Sequence, residues 1–355
     1  MNLKQKLKNI FLKKIAQKTY KKNISNEKIE KILIIRDGGI GDAICVYPLI
    51  RELKKELPNV QIDIYASLNN YFMYKYVPYA NNIYLKYKFR HWYKTWIDIY
   101  KMRKNEYDLV IDDTVIRLHR IFYTILIKPE FAIASNGSKK RYGFNRSELS
   151  FYYKTYESDY IEHIVKKRLQ VLKLINFKNI NEKMEFFLAE ENHKISKYLN
   201  NLKQYKLIGL NTDSSHISRT LNEIQIITLC KKLEDDDIKV ILFSLPNKYN
   251  YFKSLIKDNN LSNVELSFKT KTIYEAAQIV NGLDVLISPD TSFIHIASGL
   301  NIPTIGLYWK DPFKYIEWGP KSDKSYFITP KTDESHIKNI DLNEIRNKAF
   351  ELLEN

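Results

Sequence analysis

Short apolar runs, each closed by a polar turn and followed by a helical pattern, recur along the whole of this 355-residue chain. The clearest instance is the segment Ser288-Pro-Asp-Thr-Ser-Phe-Ile-His295. The run before it, 283–287, reads as a buried strand; 293–300 reads as a helix and 302–308 as the next strand. A polar turn between a buried strand and a helix aims free backbone amides at the carboxyl edge of a parallel sheet, where anions bind. A second such turn, Arg36-Asp-Gly-Gly-Ile-Gly-Asp42, follows the apolar run 32–35. Strand, turn and helix repeated in both halves predict an α/β protein, with a cleft between two α/β domains.

The spacing predicts strands at 31–36, 60–66, 109–112 and 131–134 in the first half, with helices to about 57, at 90–104, 115–127 and 161–175. The second half restarts at 206–210, with further strands at 239–243 and 264–266 and helices at 221–233, 249–257 and 273–281. The polar stretch 179–203 reads as a linker. The expected division is therefore a basic segment 1–24, a first domain 25–190 and a second domain 191–355. The last helix, 342–353, is free to pack on its own domain or back on the first.

Charge is concentrated at the start. Residues 1–31 hold ten lysines against Glu27 and Glu30, supplying +8 of the chain's +16. Leu3, Leu7, Ile10, Phe11 and Ile15 recur at helical spacing, with Lys4, Lys6, Lys8, Lys13 and Lys14 mostly off that stripe. Such a basic amphipathic helix suits an anionic membrane surface, and it equally suits packing on its own domain. Nucleic acid is not expected as a partner, since the 26 tyrosines form no stacking array and no binding motif appears. No run of 18 apolar residues spans a membrane. Two cysteines, Cys45 and Cys230, and no Cys/His cluster point to a reduced, cytoplasmic chain without a metal site.

Three segments offer chemistry. Gly38, Gly39 and Gly41 allow positive φ and close approach of a ligand, and Asp42 closes their turn. Asp42 fits either a helix cap or a carboxylate that takes a proton from a sugar hydroxyl. Thr291 and Ser292 begin a helix, so their hydroxyls and nearby amides suit a diphosphate. His295 lies one turn after Thr291 on the same face, as a ligand contact or a packing residue. After the strand 206–210, the loop Asn211-Thr-Asp-Ser-Ser-His-Ile-Ser-Arg219 offers Thr212, Ser214, Ser215 and a permanent cation, Arg219, suited to bidentate phosphate contact. The absence of a G-x-S-x-G elbow argues against a hydrolase triad.

In this order the pieces resemble glycosyltransferase family 9, the ADP-heptose:lipopolysaccharide heptosyltransferases. The resemblance rests on Ile32 to Arg36 with Gly-Ile-Gly-Asp42, Pro48 and Leu49, then Arg141-Tyr-Gly-Phe-Asn-Arg146 and His163. It continues through Gly209-Leu-Asn211, Ser218-Arg219, Asp290-Thr291, His295, Ala297, Pro303 and Trp318-Gly-Pro320. It implies a GT-B fold, two Rossmann-like domains facing across a cleft, and an inverting, metal-independent transfer that needs no cofactor. The donor would be a nucleotide sugar, ADP-heptose by analogy, bound on the second domain by Arg219, Thr212, Ser214, Ser215, Asp290, Thr291, Ser292 and His295. The acceptor, a lipopolysaccharide core or other lipid-linked glycan, would meet Gly39, Gly41, Arg141 and Arg146, with Asp42 as base. The protein would then work peripherally on the inner face of the cytoplasmic membrane.

The sequence departs from the family at the donor side. Ser292 stands for the usual Gly, Arg219 for Lys, Tyr308-Trp309 for Phe-Gly, and Ser244-Leu-Pro-Asn-Lys248 for a small Gly-rich turn. A family glutamate is replaced near Asn247 or Lys248. Two other classes share this fold pattern: a nucleotide-sugar epimerase, and a non-catalytic sugar-nucleotide or lipid-binding partner.

Overall fold

The computed structural model describes residues 3–20, 23–113, 117–136, 144–157, 161–214, 216–332 and 336–354. The chain divides into two compact units, Met1–Glu182 and Lys183–Asn355. Among the described residues each unit holds a six-stranded sheet, parallel throughout.

In the first unit the strands are β1 (Lys31–Ile35), β2 (Gln61–Ser67), β3 (Ile83–Lys86), β4 (Leu109–Asp112), β5 (Phe131–Ser135) and β6 (Lys154–Tyr156), ordered β3-β2-β1-β4-β5-β6. The helices are α1 (Leu3–Ile15), α2 (Ile40–Ile44), α3 (Tyr47–Glu56), α4 (Trp92–Lys104), α5 (Leu118–Ile127) and α6 (Ile164–Leu174). Ile34 lies opposite both Ile64 and Ile111, so β1 runs through the centre of the sheet. Helices cover both faces, which is why β1 is apolar at nearly every position rather than at alternate ones. Helix α3 packs on α6, and α5 packs on both α4 and α1. Leu33, Val110 and Ala132 are register neighbours and point to one side of the sheet. Ile99, Met102 and Ile127 cluster with Leu33 and Val110, and Leu12, Ala16 and Ile121 with Ala132, so α4, α5 and α1 form one layer on that side.

The basic segment is built into this layer. Leu12 and Ala16 are buried, whereas Ile10 and Phe11 of the apolar stripe are 64% and 60% exposed. The helix therefore has two apolar sides, and Leu12 and Ala16 fill the space above β5. Beyond it, the Lys18 ammonium donates to the carbonyls of Pro129 (2.6 Å) and Glu130, and the Tyr20 ring stacks on Phe131 at 5.5 Å.

In the second unit the strands are β7 (Lys206–Asn211), β8 (Ile238–Phe243), β9 (Val264–Leu266), β10 (Val285–Pro289), β11 (Thr304–Leu307) and β12 (Ser325–Ile328), ordered β12-β11-β10-β7-β8-β9. Its helices are α7 (His193–Asn200), α8 (Glu223–Lys232), α9 (Tyr249–Asp258), α10 (Ile273–Val280), α11 (Ser292–Leu300), α12 (Pro312–Tyr315) and α13 (Leu342–Glu354). The last helix packs on its own unit: Ile345, Ala349 and Leu352 join a core with Leu229, Val285 and Ile305.

Four differences from the sequence reading have local causes. The helix expected to reach residue 57 breaks at Cys45 and Val46 into α2 and α3, with Pro48 in the first turn of α3, where a missing N–H costs little. The stretch 179–203 contains α7, capped by the Asn192 side chain on the Lys194 amide at 3.1 Å. Strand β3 lies in the tyrosine-rich segment after β2, where no strand was expected, and β6 and β12 are edge strands of three and four residues, too short to show a period.

Candidate active site

Both singled-out turns occupy equivalent places in their sheets. In the first unit the strand order reverses between β1 and β4; in the second, between β7 and β10. The carboxyl ends beside such a reversal are where open α/β sheets bind ligands, because the loops diverge there and leave a crevice. Asp37 to Asp42 follow β1 and Asp113 follows β4; Thr212 to Arg219 follow β7 and Asp290 to Ser292 follow β10.

In the first unit Asp42 sits at the centre of a charge cluster. Its Oδ1 pairs with Arg36 and with Arg168 (3.2 Å), and its Oδ2 accepts the Gly39 amide at 3.0 Å. Arg168 also donates to the Asp42 carbonyl at 2.9 Å. Asp113 faces the same guanidiniums, Arg168 at 2.9 Å and Arg36 at 3.6 Å, and accepts from the Tyr156 hydroxyl at 2.8 Å. Burial opposes the charge on Arg36, but Asp42 and Asp113 together raise its pKa above the ordinary value. The Asp42 side chain keeps 27% of its exposure. It thus lies inside the first turn of α2 rather than at its cap, reaches back to the capping Gly39 amide, and remains an accessible carboxylate.

The glycines act through space rather than through left-handed backbone. Gly39 has φ −88° and caps α2, and Gly41 lies within α2. A Cβ on Gly38 would stand 2.6 Å from the Asp42 carboxylate, so a side chain there would displace the central group. A second cluster lies alongside. Asp37 pairs with Lys86 (2.9 Å) and Arg120, and the Lys86 ammonium lies 3.0 Å from His119 Nε2. Burial, then Lys86 and Arg120, push the His119 pKa down to about 4, so the ring is neutral near pH 7.

Arg146, expected at the acceptor, is fully buried. It pairs with Asp112 at 2.8 Å and donates to the Ser135 carbonyl at 2.9 Å, which ties the ends of β4 and β5 together. Arg141 and Ser215 lie outside the described residues. Arg168 was missed by the sequence reading, although a signal exists. It falls among Val165, Leu169 and Leu172, on the apolar side of α6, where an arginine needs a buried carboxylate.

In the second unit Thr291 caps α11, its Oγ1 accepting the Phe293 amide at 3.3 Å and the Asn211 side-chain amide at 3.1 Å. Ser292 is the first residue of that helix. Arg219 reaches Asp290 at 2.7 Å, and its guanidinium lies over the Trp309 ring, 5.3 Å from the centroid, with Lys314 at 5.7 Å from the same ring. Burial raises the Asp290 pKa while Arg219 and Lys314 oppose it. Thr212 is buried, and its hydroxyl has no hydrogen-bond partner among the described residues. The Ser214 hydroxyl accepts the His216 amide at 3.3 Å. His295 is buried, its ring 5.8 Å from Trp318, which is a packing position. Lys248, on the altered turn after β8, pairs with Asp213 at 2.5 Å. The sequence reading singled out neither Asp213 nor Lys314 and took Trp309 only as a departure from the family pattern, because only the fold brings their loops to one sheet edge.

Among the described residues no group of three His, Cys, Asp or Glu side chains could hold a metal ion. Burial pushes both cysteine thiols up to about 12, which makes them inert as nucleophiles. No helix of the described residues is long and apolar enough to cross a membrane.

Comparison with known proteins agrees with this arrangement. The family model of glycosyltransferase family 9 (heptosyltransferase) matches residues 99–341. The chain is 24% identical to lipopolysaccharide heptosyltransferase 1 of Campylobacter coli over 336 residues, covering 86% of this chain and 96% of that one. Among solved structures, a family 9 glycosyltransferase from Veillonella parvula superposes with a TM-score of 0.72 at 13% identity, covering 91% and 97% of the two chains. The E. coli heptosyltransferase WaaC with ADP gives 0.69 at 16% identity, covering 91% and 99%. Two parallel Rossmann-like units of the GT-B kind, with both turns at the points of strand reversal, carry these matches into the geometry. The chain belongs to glycosyltransferase family 9, the heptosyltransferase family, and is a glycosyltransferase.

Proposed function

We propose that the chain transfers a sugar from a nucleotide-diphosphate donor to a lipopolysaccharide-core or related lipid-linked acceptor, with inversion and without a metal. Heptose from ADP-heptose is the donor favoured by the relatives, whose names include lipopolysaccharide heptosyltransferase 1 and a heptosyltransferase with ADP. The observation that carries the reading is the pairing of Arg219 with Asp290 directly before the capped start of α11. That arrangement gathers a guanidinium, the Lys314 ammonium, the Thr291 and Ser292 hydroxyls and the positive end of the α11 dipole at one sheet edge. They stabilise the negative charge that grows on a departing diphosphate. In the first unit, Asp42 takes the proton from the acceptor hydroxyl as that oxygen attacks the anomeric carbon in line. The bond to the diphosphate breaks on the opposite side, and no covalent intermediate forms.

The protein acts peripherally at the anionic inner face of the cytoplasmic membrane, where a lipid-linked acceptor is found, and the lysines of the first 24 residues support this. Screening nucleotide sugars for thermal stabilisation, then assaying transfer, tests the reading. Stabilisation by a nucleotide diphosphate sugar with transfer to a core-oligosaccharide acceptor is expected. Turnover of donor without acceptor would assign an epimerase instead, and binding with no turnover a non-catalytic partner.

A further inference from the structure

Helix α4 exposes an aromatic face. Its inward side is Thr95, Ile99 and Met102, which span about 60° of the helix circumference at 100° per residue. Trp92, Tyr93, Trp96, Ile97 and Tyr100 lie together on the outward side, over an arc of about 140°. Each of the five is between 41% and 58% exposed. A solvated helix carries charge at such positions, and a contiguous stripe of large apolar groups marks a contact surface. Among the described residues the stripe is met at its edges, where Trp96 meets the Phe122 and Tyr123 rings of α5 and Tyr93 meets the His91 ring, each at 6.3 Å.

The charges around the stripe are mostly basic. Lys94 and Lys101 run along one flank, and Arg103 and Lys104 close its end, with the Lys104 ammonium 4.7 Å from the Tyr100 ring centroid. The one acid of the helix, Asp98, is 15% exposed; it accepts the Leu85 amide at 3.1 Å and pairs with Lys101 at 4.0 Å, which leaves Lys94, Arg103 and Lys104 in excess. Ile10 and Phe11 of α1, with the exposed Lys14 between them in helical projection, project from the same helical layer.

We propose that α4, joined by the outward side of α1, is the surface through which this chain meets an anionic lipid bilayer. The inference rests on the membrane reading above and assigns its contact surface. Tryptophan and tyrosine pair an apolar body with a polar tip, which suits the headgroup region, and the basic flanks face anionic lipid. A second copy of a chain with net charge +16 would bring like charges together at those flanks.

Vesicle binding by the full-length chain tests this. The variant carrying Trp92→Ser, Ile97→Ser and Tyr100→Ser leaves Trp96 and its ring contacts in place. Its partition onto phosphatidylglycerol-rich vesicles should fall by about tenfold or more at an unchanged melting temperature. The parent's tryptophan emission should shift to the blue on those vesicles and be quenched by brominated lipid. Equal partition of parent and variant overturns the assignment to α4 and leaves the membrane reading standing on the basic segment. No vesicle binding by the parent overturns both. A parent that self-associates in solution, with a monomeric variant, overturns the assignment in favour of a subunit interface. If the triple variant does not fold, Trp92→Ser alone, at a 57% exposed site, carries the same comparison through brominated-lipid quenching.

Discussion

Arg219 and Asp290, 71 residues apart in sequence, meet at 2.7 Å and join the loop after β7 to the turn after β10. The pair holds a permanent cation beside the capped start of α11, so the guanidinium is oriented before any diphosphate arrives. Preorganised charge of this kind needs little rearrangement when a leaving group develops its own.

Arg219→Ala should weaken nucleotide diphosphate binding by about 1.5–3 kcal/mol, the loss of a charge-assisted hydrogen bond. Arg219→Lys should recover part of it, since Lys keeps the charge and loses the bidentate fork. Calorimetry with the free nucleotide diphosphate measures this directly, and unchanged affinity in the Ala variant removes Arg219 from the site.

Asp42→Asn should lower the transfer rate by roughly 10²–10⁴, the usual contribution of a general base. The same change withdraws a carboxylate from Arg36 and Arg168, so the melting temperature should drop as well. Near-normal turnover with a lowered melting temperature would demote Asp42 to a scaffold role.

Arg168→Leu should destabilise the first unit by about 3–5 kcal/mol, because a buried ion pair that loses one partner leaves the other charge uncompensated. The guanidinium is 1% exposed, and Asp113 faces it at 2.9 Å. Denaturant unfolding checks the size, and a loss below about 1 kcal/mol would show that Arg36 alone compensates both carboxylates.

Leu12→Ala should cost about 2–5 kcal/mol, as for other buried leucines. Removal of residues 1–24 should cost more, since it also takes Ala16 from the core and the Tyr20 ring from Phe131. A truncated chain that melts with the parent would mean that the segment contributes nothing to the fold.

His119 gives a pH signature. Its folded pKa, about 4, lies below the ordinary 6.5, so the unfolded chain binds the extra proton between those values. Stability should therefore fall as pH drops from about 6.5 towards about 4, and His119→Asn should flatten that part of the profile. Thermal melts across the window, parent against variant, provide the check. Identical slopes would mean that the ring titrates normally.

The strands that could be read from sequence were those buried on both faces, such as β1, β7 and β10. Their apolar runs end in the polar residues Arg36, Asn211 and Ser288, and that boundary is local information. The two turns, the cap at Thr291 and the basic character of the first 24 residues were legible for the same reason. Partners were not. Arg146 and Arg168 look alike in sequence, yet the first is locked to Asp112 in the core and the second reaches Asp42 from 126 residues away. Ile10 and Phe11 belong to the apolar stripe by period, but Leu12 and Ala16 fill the space above β5 and turn them outward. Local hydrogen bonding and burial on two faces determine an element and the residue that ends it. Which charges meet, and which apolar side is buried, depends on the order of strands in the sheet, and only the tertiary structure decided that.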